Sequence, residues 1–211
     1  GNSYLDFVLG ASWRHDSRDT SVFPTRGGLQ SISGSLTFPG SDLTYYKIQY
    51  KNRHYFPLSK KFTLSLNADL GYGDSYGDLS ALPFFENFFA GGPRSVRGFE
   101  SNSLGPRDRD GSAGNDPLGG NLKVVGNAEL FFPAPIKTFQ DSARLSLFLD
   151  VGNVYDTNNA NFELGDIRAS VGLGATWLSP IGALSFSIAQ PLNDEAGDET
   201  ETFQFNLGST F

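Results

Sequence analysis

The chain has 211 residues, a formal net charge of -7, and neither cysteine nor methionine. That length allows one domain with a sizeable core. The missing thiols exclude a disulfide scaffold, thiolate metal sites and thiol catalysis, and the acidic balance argues against nucleic acid, which needs a basic footprint. No run of about 18 apolar residues occurs, so no helix is expected to cross a bilayer, although strands of about 9–11 alternating residues cross without a hydropathy peak. The hydrophobic content of 38% suits a barrel with one polar face better than a two-layer globule. No signal peptide pattern is present and a strand-like pattern begins at Tyr4, so the sequence reads as a mature fragment or an engineered piece.

Leu5, Phe7, Leu9, Ala11 and Trp13 alternate with Asp6, Val8, Gly10, Ser12 and Arg14, the period-2 signature of a strand with one apolar face. A turn is predicted over residues 16–28, containing Pro24 and Gly27-Gly28. Ile32, Gly34, Leu36 and Phe38 form the next apolar face, and Pro39-Gly40-Ser41-Asp42 signals a turn. Tyr46, Ile48, Tyr50 and Phe56 then oppose Lys47, Gln49, Lys51 and Arg53. After residues 57–60, Phe62, Leu64, Leu66, Ala68, Leu70 and Tyr72 continue the pattern. A long interval without alternation covers roughly residues 74–120.

Leu122, Val124, Gly126, Ala128, Leu130 and Phe132 resume it, facing away from Asn121, Lys123, Asn127 and Glu129. Ala143, Leu145, Leu147, Leu149 and Val151 oppose Ser142, Arg144, Ser146, Phe148 and Asp150, and a polar loop follows over about 153–166. Ile167 to Trp177 and Leu184 to Ala189 alternate around the short turn Ser179-Pro180-Ile181-Gly182. An acidic loop covers 193–201, and Phe203, Phe205, Leu207 and Phe211 close the chain against Gln204, Asn206, Gly208 and Thr210.

The sum is about nine strands and no helix. A soluble sandwich would alternate too. Two features favour an antiparallel transmembrane β-barrel: small polar residues on the opposite faces, as a wet lumen requires, and Trp13, Tyr46, Tyr72, Trp177 and Phe211 near strand ends, as in interfacial girdles. Short connections at 57–60, 133–141 and 179–182 alternate with long ones at 74–120, 153–166 and 190–201, placing the short turns in the periplasm and the long loops outside. An odd count makes the first and last strands run the same way. They cannot close as an ordinary antiparallel pair, and an open edge in lipid costs several kcal/mol per unpaired group. The chain is therefore expected to be part of a larger barrel, or to need a second chain to close it.

The long interval is rich in Gly and Pro yet carries Phe84, Phe85, Phe88, Phe89 and Phe99, more aromatic surface than a solvated loop needs. Loops this long are usually functional or disordered, and the aromatics argue against disorder, so a folded loop that docks on something is predicted. The run Pro83-Phe84-Phe85-Glu86-Asn87-Phe88-Phe89-Ala90-Gly91-Gly92, followed by Val96-Arg97-Gly98-Phe99, resembles the BamA family, the central subunits of the bacterial outer-membrane protein assembly machine. So do the segment from Pro39 to Lys47, Ala189-Gln190-Pro191 and the terminal residues from Phe203 to Phe211. Val-Arg-Gly-Phe alone points only to the wider POTRA-barrel superfamily, with TamA and two-partner secretion transporters. The resemblance covers essentially the whole chain but only the C-terminal part of the family's barrel, with no counterpart of its POTRA domains or first strands.

The resemblance implies a long loop folded into the lumen, with Arg97 meeting acidic residues of the wall. Alternation places Glu129 and Asp150 on the lumen face, where they match the family's acidic positions, so Arg97 is expected to pair with both. Phe203, Phe205, Leu207 and Phe211 resemble the terminal targeting signal of outer-membrane barrels, with Gly208 kinking the strand. In the family this last strand opens laterally to insert other barrels by edge pairing. The implied setting is the bacterial outer membrane. The implied partners are outer-membrane lipid and lipopolysaccharide, nascent outer-membrane proteins, and accessory assembly lipoproteins bound through the absent periplasmic domains. No cofactor, metal or nucleic acid is expected. His15 and His54 have no nucleophile motif beside them, which argues against an enzyme. Asp108, Asp110 and Asp116 lack EF-hand spacing, and Gly71, Gly73 and Gly77 precede no helix that a phosphate loop would need. A two-partner secretion or TamA-like translocation barrel and a passive porin remain the alternatives.

Overall fold

A computed structural model describes residues 4–38, 40–108, 116–140, 142–158, 163–180 and 182–208. The strands are Val8–Asp16 (β1), Gly27–Thr37 (β2), Tyr45–Pro57 (β3), Thr63–Ser75 (β4), Gly98–Phe99 (β5), Leu122–Pro133 (β6), Ala143–Tyr155 (β7), Arg168–Ser179 (β8), Gly182–Pro191 (β9), Thr200–Glu201 (β10) and Phe203–Leu207 (β11). Nine of them form one sheet in the order β1-β2-β3-β4-β6-β7-β8-β9-β11, with every neighbouring pair antiparallel. The order starts at β1 and ends at β11 without joining them, so the sheet is a partial barrel with two open rims. Among the described residues the only helical pieces are three single turns.

Burial runs opposite to that of a water-soluble protein. Leu9, Leu173 and Phe205 on the convex side are more than half exposed, while Asp150, Gln204 and Ser65 on the concave side are at most 4% exposed. Alternation thus sends apolar residues outward toward lipid and polar residues into a lumen. Rings gather toward both ends of the wall. Tyr46 and Tyr72 lie 6.2 Å apart at the long-loop end, and Phe62 and Phe132 lie 6.3 Å apart at the short-turn end. The ten-residue step from Phe62 to Tyr72, at about 3.4 Å per residue and a tilt of about 40°, spans roughly 25 Å, the height of a bilayer-facing apolar band.

The structure departs from the sequence reading in four places. Gly27 and Gly28, expected in a turn, open β2, because the Ser17 N–H donates to Gly28 O at 2.8 Å and extends the ladder. Residues 5 to 7 precede β1 rather than belonging to it. There Leu5 N–H donates to the Asp42 carboxylate at 2.7 Å and the chain is tied to the neighbouring connection instead of to β2. β7 runs on to Tyr155 through the supposed polar loop, since Val154 and Tyr155 are buried in the interior and Asn153 Nδ2 donates to Asp166 O at 2.6 Å. Finally, the interval 74–120 contains β5, a two-residue strand that exists only through its pairing with β10.

Candidate functional site

The connection between β4 and β6 folds back into the lumen, and its central residue is Arg97. Arg97 Nε and Nη2 donate to the two oxygens of Asp150 on β7 at 2.7 and 2.9 Å, while Nη1 donates to Glu129 Oε1 on β6 at 3.0 Å. The Arg97 backbone N–H adds a bond to Asp150 Oδ2 at 3.1 Å. Asp150 is fully buried, and the Arg97 and Glu129 side chains are 13% and 21% exposed. A planar guanidinium suits this place because its fork satisfies one carboxylate bidentately and still reaches a second. Glu129 lies opposite Phe148 in the ladder, two residues from Asp150 on the same face, and the Arg97 guanidinium sits 3.4 Å above the Phe148 ring. That contact explains an aromatic side chain on the polar face of β7. Ser146 Oγ donates to Glu129 Oε1 at 2.6 Å, and Asn127 Nδ2 donates to Ser95 O at 2.7 Å.

Around the ion cluster the loop is apolar. Val96, Phe99 and Leu104 are fully buried in one cluster with Phe88, Ala90, Val125 of β6 and Val154 of β7. Each buried side chain of this size contributes about 1.5–3 kcal/mol relative to exposure. Gly71 on the lumen face of β4 is required for this packing, since a Cβ there would lie 2.7 Å from the Phe88 ring. Gly98 adopts φ +89, and a Cβ would approach that of Ala189 to 3.2 Å. Both conditions select glycine.

A second set of contacts escaped the sequence reading. Gly98 and Phe99 pair antiparallel with Glu201 and Thr200, so the loop adds a short strand beside the segment that leads into β11. Gln204 Nε2, on the lumen face of β11 and 2% exposed, donates to Phe99 O at 2.7 Å. Glu100 N–H donates to Glu199 O at 2.9 Å, Arg107 pairs with the Glu199 carboxylate at 3.0 Å, and Arg94 Nη2 donates to Asn206 Oδ1 at 3.2 Å. The only advance sign was alternation, which puts Gln204 and Asn206 inside.

Phe203, Phe205 and Leu207 are not brought to this cluster. They lie on the outer face, each more than half exposed, with the Phe205 ring 5.2 Å from Phe186 of β9 and tilted 40° to it. Gly208 ends β11 at φ +127 with its N–H donating to Ala183 O at 2.9 Å. Phe211, assigned to the same signal, lies outside the described residues.

At the short-turn end the connection 17–26 also folds inward. Arg144 of β7 donates to Pro24 O at 2.9 Å and Phe23 O at 2.8 Å, and its guanidinium lies 5.0 Å from the rings of Phe23 and Phe131. Within the turn, partial burial pushes the Asp19 carboxyl up. Donors from Thr25 Oγ1 and the Thr25, Arg26 and Thr20 N–H groups more than offset this and hold its pKa at about 2. Between this turn and Pro93 to Arg97 lies a cavity of about 570 Å³. Among the described residues no three His, Asp or Glu side chains converge as metal ligands would.

An Omp85 superfamily domain matches residues 1–211. The chain is 40% identical over 94% of its length to the outer membrane protein assembly factor BamA of Neisseria meningitidis serogroup B, and 30% identical over 93% to a sorting and assembly machinery component 50 homolog of Xenopus tropicalis. It superposes with a TM-score of 0.86 and 37% identity, over 96% of its length, on the crystal structure of BamA from Haemophilus ducreyi lacking POTRA domains 1–3. It spans 28% and 44% of the two sequence relatives and 42% of that crystallised chain. The open β-sheet, the loop folded into its lumen and the full-length family match lead to one assignment: this chain belongs to the Omp85 superfamily.

Proposed function

We propose that the chain forms part of the membrane barrel of an outer-membrane protein assembly factor, which folds and inserts other barrels through an edge-strand gate. The carrying observation is the similarity to BamA proteins across nearly the whole chain, joined to a lumen into which its own loop packs. A passive pore would keep that space clear. The β11 rim supports the gate reading. Its exposed backbone groups offer a template for an incoming strand. On this reading the bilayer is thinned locally beside the outward-facing Phe203, Phe205 and Leu207. Arg97, Glu129 and Asp150, with Val96, Gly98 and Phe99, fix the loop that backs the gate. On this reading the protein sits in a bacterial outer membrane, in contact with lipid and lipopolysaccharide. Nascent barrels are its clients, and accessory lipoproteins dock on periplasmic domains elsewhere in the protein.

The test is folding of an urea-unfolded client barrel into liposomes containing the full-length protein, followed by heat-modifiable gel mobility. Faster folding than into empty liposomes is expected. Steady ion conductance without faster folding overturns the proposal in favour of a porin. Delivery of a soluble passenger into the vesicle interior without insertion overturns it in favour of a translocation barrel.

A further inference from the structure

We propose that the lumen cavity between the plug loop and turn 17–26 binds acidic, extended peptide of the kind found in the loops of client barrels. This rests on the assembly reading for the identity of the client, but not for the chemistry of the site.

The observation is a sorting of charge. Of 16 Lys and Arg and 23 Asp and Glu in the chain, six basic residues line this cavity and one acidic residue does. The part of the lumen wall that this acidic chain lines here is thus basic. Arg97 is neutralised there by Glu129 and Asp150, and Arg144 is held by neutral carbonyls. The cations that face the opening differ. Arg14 lies opposite Ser31, and Ser31 lies opposite Lys51, so the two cations flank a hydroxyl in one row across three strands. Two strand spacings put them about 10 Å apart at the backbone, a separation that side chains of this length bridge to grip carboxylates along an extended chain. The acids nearest to them are already shared: Asp16 on β1 is held by Arg18 at 2.7 Å, and Asp69 is held by Lys123 at 2.9 Å and more loosely by Lys51 at 3.8 Å. Ser31 between the cations, Ser12 and Ser33 beside them, and Ser65 and Ser187 elsewhere on the lining supply the room, because their side chains are short. Low-dielectric walls focus the field of such a patch and raise the local concentration of anions.

Peptide fits better than lipid. A volume of about 570 Å³ holds a few residues, and a phospholipid would have to leave its chains among serines. The complementary charge is visible in this chain's own outer connections. Residues 156–167 and 192–202 carry eight Asp and Glu and no Lys or Arg. A client built on the same plan presents the same acidic segments, and meets this cavity past an entrance where the short turns carry Arg26, Lys60, Lys61 and Lys137, Arg18 being held by Asp16 at 2.7 Å.

A fluorescein-labelled peptide with the sequence of residues 192–201 is titrated into the full-length protein in detergent and followed by anisotropy. Its counterpart has every Asp and Glu changed to Asn and Gln. Binding of the acidic peptide alone is expected, weakening steeply between about 50 mM and about 0.5 M salt. The double variant Arg14→Gln with Lys51→Gln is expected to bind about tenfold more weakly. Ser31→Glu, which adds a carboxylate between the two cations without removing either, is expected to abolish binding; unaltered heat-modifiable mobility checks that each variant folds. Equal binding of the neutral peptide, unchanged affinity in both variants, or displacement by equimolar inorganic pyrophosphate overturns the assignment. Client folding that fails while the peptide still binds sinks the assembly reading and leaves the anion site standing; accelerated folding without peptide binding does the reverse.

Discussion

The plug loop is held on its two sides by different chemistry. Toward β6 and β7 the hold is a guanidinium on two carboxylates, with a buried aromatic beneath it and an apolar cluster beside it. Toward β10 and β11 it is backbone pairing, one amide and exposed polar contacts. The first is specific and expensive to break, because release would strand a fully buried carboxylate. The second is the exchangeable chemistry of strand pairing, in which one edge substitutes for another. The two attachments can therefore be broken separately.

The harshest test of that difference is Arg97→Ala. Breaking a buried pair costs about 3–5 kcal/mol, lowered here by partial solvation of Glu129. Limited proteolysis within 84–107 is expected to accelerate while the barrel keeps its heat-modifiable mobility; unchanged protection would show that the ion cluster does not hold the loop. Gln204→Leu probes the other side. It removes one of two donors to the Phe99 carbonyl, the Gly92 N–H at 3.0 Å remaining, at about 0.5–1.5 kcal/mol. Hydrogen exchange is expected to rise at the amides of Phe203 to Leu207 and to stay slow around Asp150. A rise at both sites would mean that the two attachments act as one.

Asp19→Asn is the mildest change and touches neither side. Its carboxyl titrates at about 2 in the folded turn and near 3.9 when unfolded. The charged form therefore stabilises the turn above about pH 4, and that stabilisation fades as pH falls toward 2. The gap in thermal stability between wild type and variant is expected to close over that window, with plug-loop protection unaffected. A gap that persists at pH 2 would assign the effect to something other than the carboxylate.

The wall was legible because alternation is a direct record of having lipid on one side and water on the other. Glu129 and Asp150 could be placed on the lumen face from their own strands. Phe148 shared that face without a reason visible in sequence, since the reason is a cation arriving from a residue about fifty positions away. The pairing of Gly98 and Phe99 with Thr200 and Glu201 left no pattern at all, because two residues cannot show a period. Likewise Asn153 to Tyr155 read as loop by composition and became strand through burial against the plug. Local sequence recorded the solvent on each face but not contacts supplied by distant segments.

One arithmetic consequence remains in the rims. Both boundary strands descend in the same sense, so a cylinder whose every seam is antiparallel must be completed by an odd number of additional strands. A hairpin alone, contributing two, leaves a mismatched seam; a lone strand, or a hairpin plus one, does not.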